Sequence, residues 1–281
     1  WSSAFLPAPY QGTPLGNASL PSTQATVKHL QNSDASSELQ RIKLDMLAEM
    51  NRELLHQSGL DRSLEGRIES FELAFRMQME MPVVVDISRE TTTTHRLYGL
   101  DNEATADFGR QCLMARRFAE NGVRFIQVTH SDTMVQWDQH GNLPKLIKGQ
   151  CMDVDQPTAA LVKDLKQRGL LEDTLVVFGG EFGRTVYCQG KLSRQNYGRD
   201  HHPRNFCMWM AGGGIKAGTS YGETDDFSYN ITENPVHLNE INATIFHCLG
   251  IDNHRFTFPY QGLQQRLTGV EDAYPVQGIL A

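Results

Sequence analysis

The sequence has little that would suit it to a membrane, a nucleic acid or a disulfide framework. No stretch of it nears the roughly eighteen consecutive apolar residues of a membrane-spanning helix. Its 26 basic side chains are outnumbered by 33 acidic ones, for a formal net charge of −7. No basic stripe is left to neutralise a phosphate backbone, so nucleic acid is not expected as the main partner. The five cysteines, Cys112, Cys151, Cys188, Cys207 and Cys248, are scattered and never spaced as C-x-x-C. That arithmetic fits neither a disulfide scaffold nor a zinc ribbon, and reads as buried or idle thiols. No charged segment followed by a short apolar one trails Trp1, so no signal peptide is read. A start without Met reads as a processed or trimmed chain, or as a fragment of something longer. Internal repeats and low-complexity tracts are missing too.

What is present fits one large α/β domain. The 281 residues can bury a sizeable core. The opening "WSSAFLPAPYQGTPLGNASLPS" is rich in Pro, Gly and Ser, and residues 1–35 read as an irregular lead-in. A helical pair is expected over 36–81. Leu39, Ile42, Met46, Met50 and Leu54 recur at helical spacing after Ser36 and Ser37, either of which can cap. Leu64, Ile68, Phe71, Phe75 and Met79 make a second stripe, ended by Pro82. Both stripes read as core. A third helix is expected over 104–121, with Phe108, Cys112, Ala115 and Phe118 inward.

"VRFIQVTH" reads as a strand ending near His130. A helix follows at about 155–168, with Pro157 in its first turn and Gly169 after its end. "TLVVF" and "NFCMWMAGGGI" read as two further strands, and 239–249 as a last helix with Ile241, Ile245 and Leu249 inside. Alternating helices and apolar strands predict a doubly wound, mostly parallel sheet flanked by helices. Ligands in such sheets sit beyond the carboxyl ends of the strands.

Chemistry-bearing residues gather in the loops there. In "WDQHGN", Asp138 and His140 are two apart, so an extended backbone aims both the same way. A carboxylate beside an imidazole suits a divalent cation of intermediate hardness; without a metal, the same loop is a solvated turn with an Asp–His hydrogen bond. His130 and Asp132 could join. In "GGEFGRT", Glu181 is either a metal ligand or a partner of Arg184. In "GRDHHP", His201 and His202 are neighbours and point in different directions, so one of them is expected to be a ligand. Arg184, Arg199 and Arg204 offer forked donors to a phosphate or sulfate.

Longer stretches carry a resemblance. "LYGLDNEATADFGRQCLMARRFAENGVRFIQV", "WDQHGN", "LVKDLKQRGLLEDTLVVFGGEFGRT", "GRDHHP", "MWMAGGGIKAGTSYGETDDF" and "VHLNEINATIFHCLGID" resemble the bacterial domain-of-unknown-function family 1501 over nearly the whole chain. That family is similar to the alkaline phosphatase and sulfatase superfamily, with members usually exported, often with a twin-arginine signal, so the resemblance implies an exported or periplasmic protein. The resemblance implies an alkaline phosphatase-like core and a divalent metal centre (Zn, Mn or Ca) acting on an anionic small-molecule or glycan ester. It assigns the metal to Asp138, His140, Glu181 and His201, and the substrate anion to Arg184, Arg199 and His202. Where the superfamily has Asp-His-Gly, this chain has Glu181-Phe182-Gly183, and Phe182 cannot ligate a metal. The first strand, its aspartate and the nucleophile have no counterpart before residue 100, and no cysteine fits C-x-P-x-R. The chain therefore resembles the C-terminal part of such a protein. The alternatives are a non-catalytic exported domain that binds anionic glycans or a protein partner in the same cleft, and a structural fragment.

Overall fold

The structure, a computed structural model, describes residues 6, 10–17, 20–27, 36–59, 62–131, 137–189 and 192–281. The chain divides into two units, Trp1–Glu90 and Thr91–Ala281.

The first unit is built on α1 (Ser37–Ser58) and α2 (Arg62–Val85). Ser36 caps α1: its Oγ accepts from the Leu39 amide at 3.2 Å. Helix α2 runs through Pro82 rather than ending there; so near the C-terminal end, the ring interrupts only the last turn of the ladder. The gap between the helices is bordered by Leu44, Leu47, Ala48 and Asn51 of α1 and by Ile68, Phe71 and Glu72 of α2. Arg41 locks the pair with a fork onto Glu72, at 2.8 and 2.5 Å, and stacks 5.1 Å from the Phe75 ring centre. The stripe expected as core is instead exposed on α1, up to 65% at Met46, as are Phe71 and Met79 on α2. Helix α1 carries two apolar rows. It turns the 44–47–48–51 row to α2, which leaves the 39–42–46–50–54 row outward.

The second unit has its core where α4 (Glu103–Glu120) packs on α5 (Leu143–Gln167). Phe108, Cys112, Ala115 and Phe118 are buried, as the spacing predicts, beside Leu113, Val154, Ala160 and Leu165. Burial pushes the Cys112 thiol up to about 12. Arg116, only 1% exposed, reaches Asp164 at 3.0 Å and Glu120 at 2.6 Å. The Tyr98 hydroxyl donates to the same Asp164 at 3.0 Å, and Arg168 adds 2.8 Å. This ionic knot ties α4, α5 and the turn after α3 (Thr92–Leu97).

The expected parallel sheet does not form. Every strand pair among the described residues is a two-stranded antiparallel one. "VRFIQVTH" carries no strand, and Phe125 is 78% exposed. Strand β1 (Val176–Gly179) instead pairs antiparallel with β4 (Met208–Ala211), Phe178 opposite Trp209 with rings stacked 5.3 Å apart. Inside that pair lies another, β2 (Gly183–Arg184) with β3 (His201–His202). The whole is a nested hairpin. The physical reason is in the connection: parallel neighbours need a crossover, usually a helix, and among the described residues of 180–207 there is no helix. The chain can only turn back on itself.

Beyond it lie β5 (Glu223–Thr224) with β6 (Ile231–Glu233), helix α6 (Leu238–Cys248) and the hairpin β7 (Thr257–Tyr260) and β8 (Leu263–Arg266). In α6, Ala243 and Thr244 are the buried pair, and Leu249 is 52% exposed rather than inside. No helix among the described residues is long and apolar enough to cross a membrane.

Candidate metal centre

Two loops and one short ladder bring the chemistry together. The "WDQHGN" loop alternates as extended chain should: Gln139 is buried, its side chain donating to Gln150 of α5, while Asp138 and His140 face the other way. The loop ends at Asn142, whose positive φ of 53° turns the chain into α5; asparagine is among the few residues that adopt that conformation readily. The "GRDHHP" segment is sewn along it. The Arg199 amide donates to the Gln139 carbonyl at 3.0 Å and the Leu143 amide to the Tyr197 carbonyl at 2.9 Å. Asn196 Oδ1 accepts from the Asn142 amide at 2.7 Å. In β3 the two histidines fall on opposite faces: His201 is exposed and His202 buried.

The result is a triangle of potential ligand atoms. His201 Nε2 lies 2.7 Å from Asp138 Oδ1, His140 Nε2 lies 2.9 Å from the same oxygen, and the two nitrogens are 3.1 Å apart. Among the described residues, these three make the one group with metal-holding geometry. A tetrahedral ion with ligands at about 2.0–2.1 Å has ligand–ligand edges of about 3.3–3.4 Å, so the triangle fits such an ion with a small opening. His140 Nδ1 is buried with no hydrogen-bond partner among the described residues, so His140 lacks the outer acceptor that commonly orients a metal-binding imidazole.

Arg184 completes the electrostatics. Its Nη1 donates to Asp138 Oδ1, and its Nη2 to Glu181 Oε1 at 2.8 Å. The Arg184 and His201 hydrogen bonds hold the Asp138 carboxyl down at about 2, well below the usual carboxylate range. Phe182 backs the group: its ring centre is 4.9 Å from that of His201, and Arg184 lies 5.7 Å from the same ring.

The sequence model of the DUF1501 family, described as protein of unknown function, matches residues 1–280. The chain belongs to the DUF1501 family. No curated protein and no solved structure matches it.

Of the residues that the sequence singles out in this DUF1501 chain, Asp138, His140 and His201 come together. Glu181 does not join them; its carboxylate pairs with Arg184, the second of the two roles open to it. Arg199 points its Nη1 at the Thr185 carbonyl, 2.8 Å away. His202 is turned from the site, its ring stacked 4.6 Å from Tyr229 and its Nε2 2.6 Å from the Tyr229 carbonyl. His130 accepts at Nδ1 from the Trp137 indole at 3.1 Å. Asp132 lies outside the described residues.

Sequence reasoning missed the frame. Thr185, 1% exposed, accepts from the Asp200 amide at 3.1 Å and donates to the Tyr187 carbonyl at 2.8 Å. Gly183 and Gly198 sit where backbones touch. A Cβ on Gly183 would fall 1.7 Å from the Asn205 carbonyl oxygen, and one on Gly198 2.1 Å from the His140 carbonyl carbon. The glycine of "GRDHHP" was the available signal; nothing marked Thr185 or Asn196. Tyr187, Arg194, Tyr197, Gly198 and Arg199 line an open cleft of about 610 Å³ that none of Asp138, His140 and His201 borders.

Proposed function

We propose that this DUF1501 chain binds a divalent ion, zinc foremost, through Asp138, His140 and His201, and hydrolyses phosphate or sulfate esters there. The observation that carries the reading is the convergence of one carboxylate oxygen and two imidazole nitrogens on a single point. That donor set favours zinc over calcium, which prefers a shell of oxygens. A bound divalent ion supplies Lewis-acid polarisation of the ester oxygen and lowers the pKa of water.

The protein's own residues do the rest. Phe182 and the ladder to Gly183 hold His201 in place, and Arg184 offers one prong of its guanidinium to an oxygen of the anion. The resemblance to the alkaline phosphatase and sulfatase superfamily supports the ester class. Zinc-loaded protein is expected to hydrolyse an aryl phosphate or aryl sulfate slowly, with His201→Ala and Asp138→Ala lowering the rate at least about tenfold. Equal rates in wild type and both variants would refute the reading.

A second reading is a non-catalytic site that binds the same anions. It is favoured by one observation: among the described residues, no serine, threonine or cysteine hydrogen-bonds to Asp138, His140, His201 or Arg184, so no side-chain nucleophile is in hand. Anion binding without turnover in the same zinc-loaded protein would select it.

A further inference from the structure

We infer that Arg184 is a built-in competitor of the metal, so that metal binding is what frees Arg184 to take the substrate anion. The inference rests on the metal reading above and concerns how the same site is regulated. Asp138 Oδ1 is approached by three groups at once: Arg184 Nη1, His201 Nε2 at 2.7 Å and His140 Nε2 at 2.9 Å. The two imidazoles would turn from that oxygen to a bound ion, which leaves the ion and Arg184 as the two positive groups at one carboxylate. A guanidinium cannot lose its proton in a protein and so cannot become a ligand. Its positive charge already neutralises that carboxylate, and a divalent ion arriving on the two imidazoles competes with it there, cation against cation.

Displacement has a defined destination. Arg184 keeps its second anchor, since Nη2 donates to Glu181 Oε1 at 2.8 Å, and the ring of Phe182 lies beside it at 5.7 Å. The guanidinium can therefore pivot without leaving the site, with Nη1 released. Without metal both end nitrogens are committed to carboxylates and little is left for an anion. With metal, one prong of the fork and the ion present themselves together. Glu181 thus has a function without being a ligand: it retains the arginine while Asp138 changes partner. By linkage the effect is reciprocal, anion tightening metal by the same factor that metal tightens anion.

Sulfate is the probe, zinc the metal, and calorimetric titration of the full chain the measurement. Sulfate should bind the wild type at least about tenfold tighter with saturating zinc than without it, and this gain should shrink several-fold in Arg184→Ala. Zinc alone should bind Arg184→Ala about tenfold tighter than wild type, because the competitor is gone. The wild-type sulfate comparison needs no variant to fold. Equal zinc affinity in wild type and Arg184→Ala, or an equal zinc-dependent gain for sulfate in both, would overturn the inference and leave the metal reading standing. Failure of zinc to bind either protein would overturn both.

Discussion

At the scale of single residues, the site depends on two glycines where backbones touch, Gly183 and Gly198. Gly198 lets the "GRDHHP" segment lie directly on the backbone of Gln139 and His140, and a Cβ there would meet His140 carbon at 2.1 Å and Gln139 oxygen at 2.4 Å. Those are backbone atoms, so the two loops must part for any substitution. Gly198→Ala is expected to lower zinc affinity about tenfold or more while far-ultraviolet circular dichroism stays unchanged. Gly180 is the control, since a Cβ there meets nothing within 4 Å; Gly180→Ala should bind zinc like wild type. Equal effects of the two alanines would show that close packing of the loops does not set the site. Local pattern was enough to read Asp138 with His140, and to split His201 from His202, because alternation along an extended chain is a property of the backbone alone. It was not enough to place Glu181 or Arg199, whose partners, Arg184 and the Thr185 carbonyl, are decided by how the turn folds.

At the scale of elements, the helices were legible and the sheet was not. Helix α4 was read nearly residue for residue because its buried face is continuous from Phe108 to Phe118. Helix α5 was read short: Pro157 looked like a first turn, yet the helix starts at Leu143 and carries the proline inside, held by its face against α4. The apolar runs at 123–130 and 174–178 are alike in composition, and only pairing distinguishes them. The second finds a partner in β4 and the first finds none among the described residues. The contacts between helices give two tests. Asp164→Ala leaves Arg116, 1% exposed, with a broken ion network. Removing one partner of a buried pair costs about 3–5 kcal/mol, so urea unfolding of the second unit should move by about that much; a change below about 1 kcal/mol would contradict the buried knot. In the first unit, the Arg41 fork lowers the Glu72 carboxyl below its usual range. A lowered carboxyl contributes stability above its ordinary pKa and loses it as pH falls through the folded value. Glu72→Gln should therefore lower the thermal midpoint slightly at neutral pH, as an exposed pair allows, and the difference from wild type should close in strong acid. A difference that grew on acidification would have the wrong sign.

At the scale of the whole molecule, the chain is a helical pair in one unit and, in the other, a helix core from which a nested hairpin projects its loops. The expected doubly wound sheet failed for a topological reason that the sequence did contain: no helical periodicity lies between "TLVVF" and "MWMA" to carry a crossover. The site survives that correction because it needs only two loops and a two-residue ladder to meet, whatever the sheet behind them. Its central claim is that Asp138, His140 and His201 together hold one divalent ion. Titration of zinc into chelator-stripped full chain, followed by elemental analysis after dialysis, tests it most directly. The account predicts one zinc per chain, with Asp138→Ala, His140→Ala and His201→Ala each weakening binding at least about tenfold and His202→Ala leaving it unchanged. Absence of bound zinc, or zinc held equally well by all three ligand variants, would contradict it.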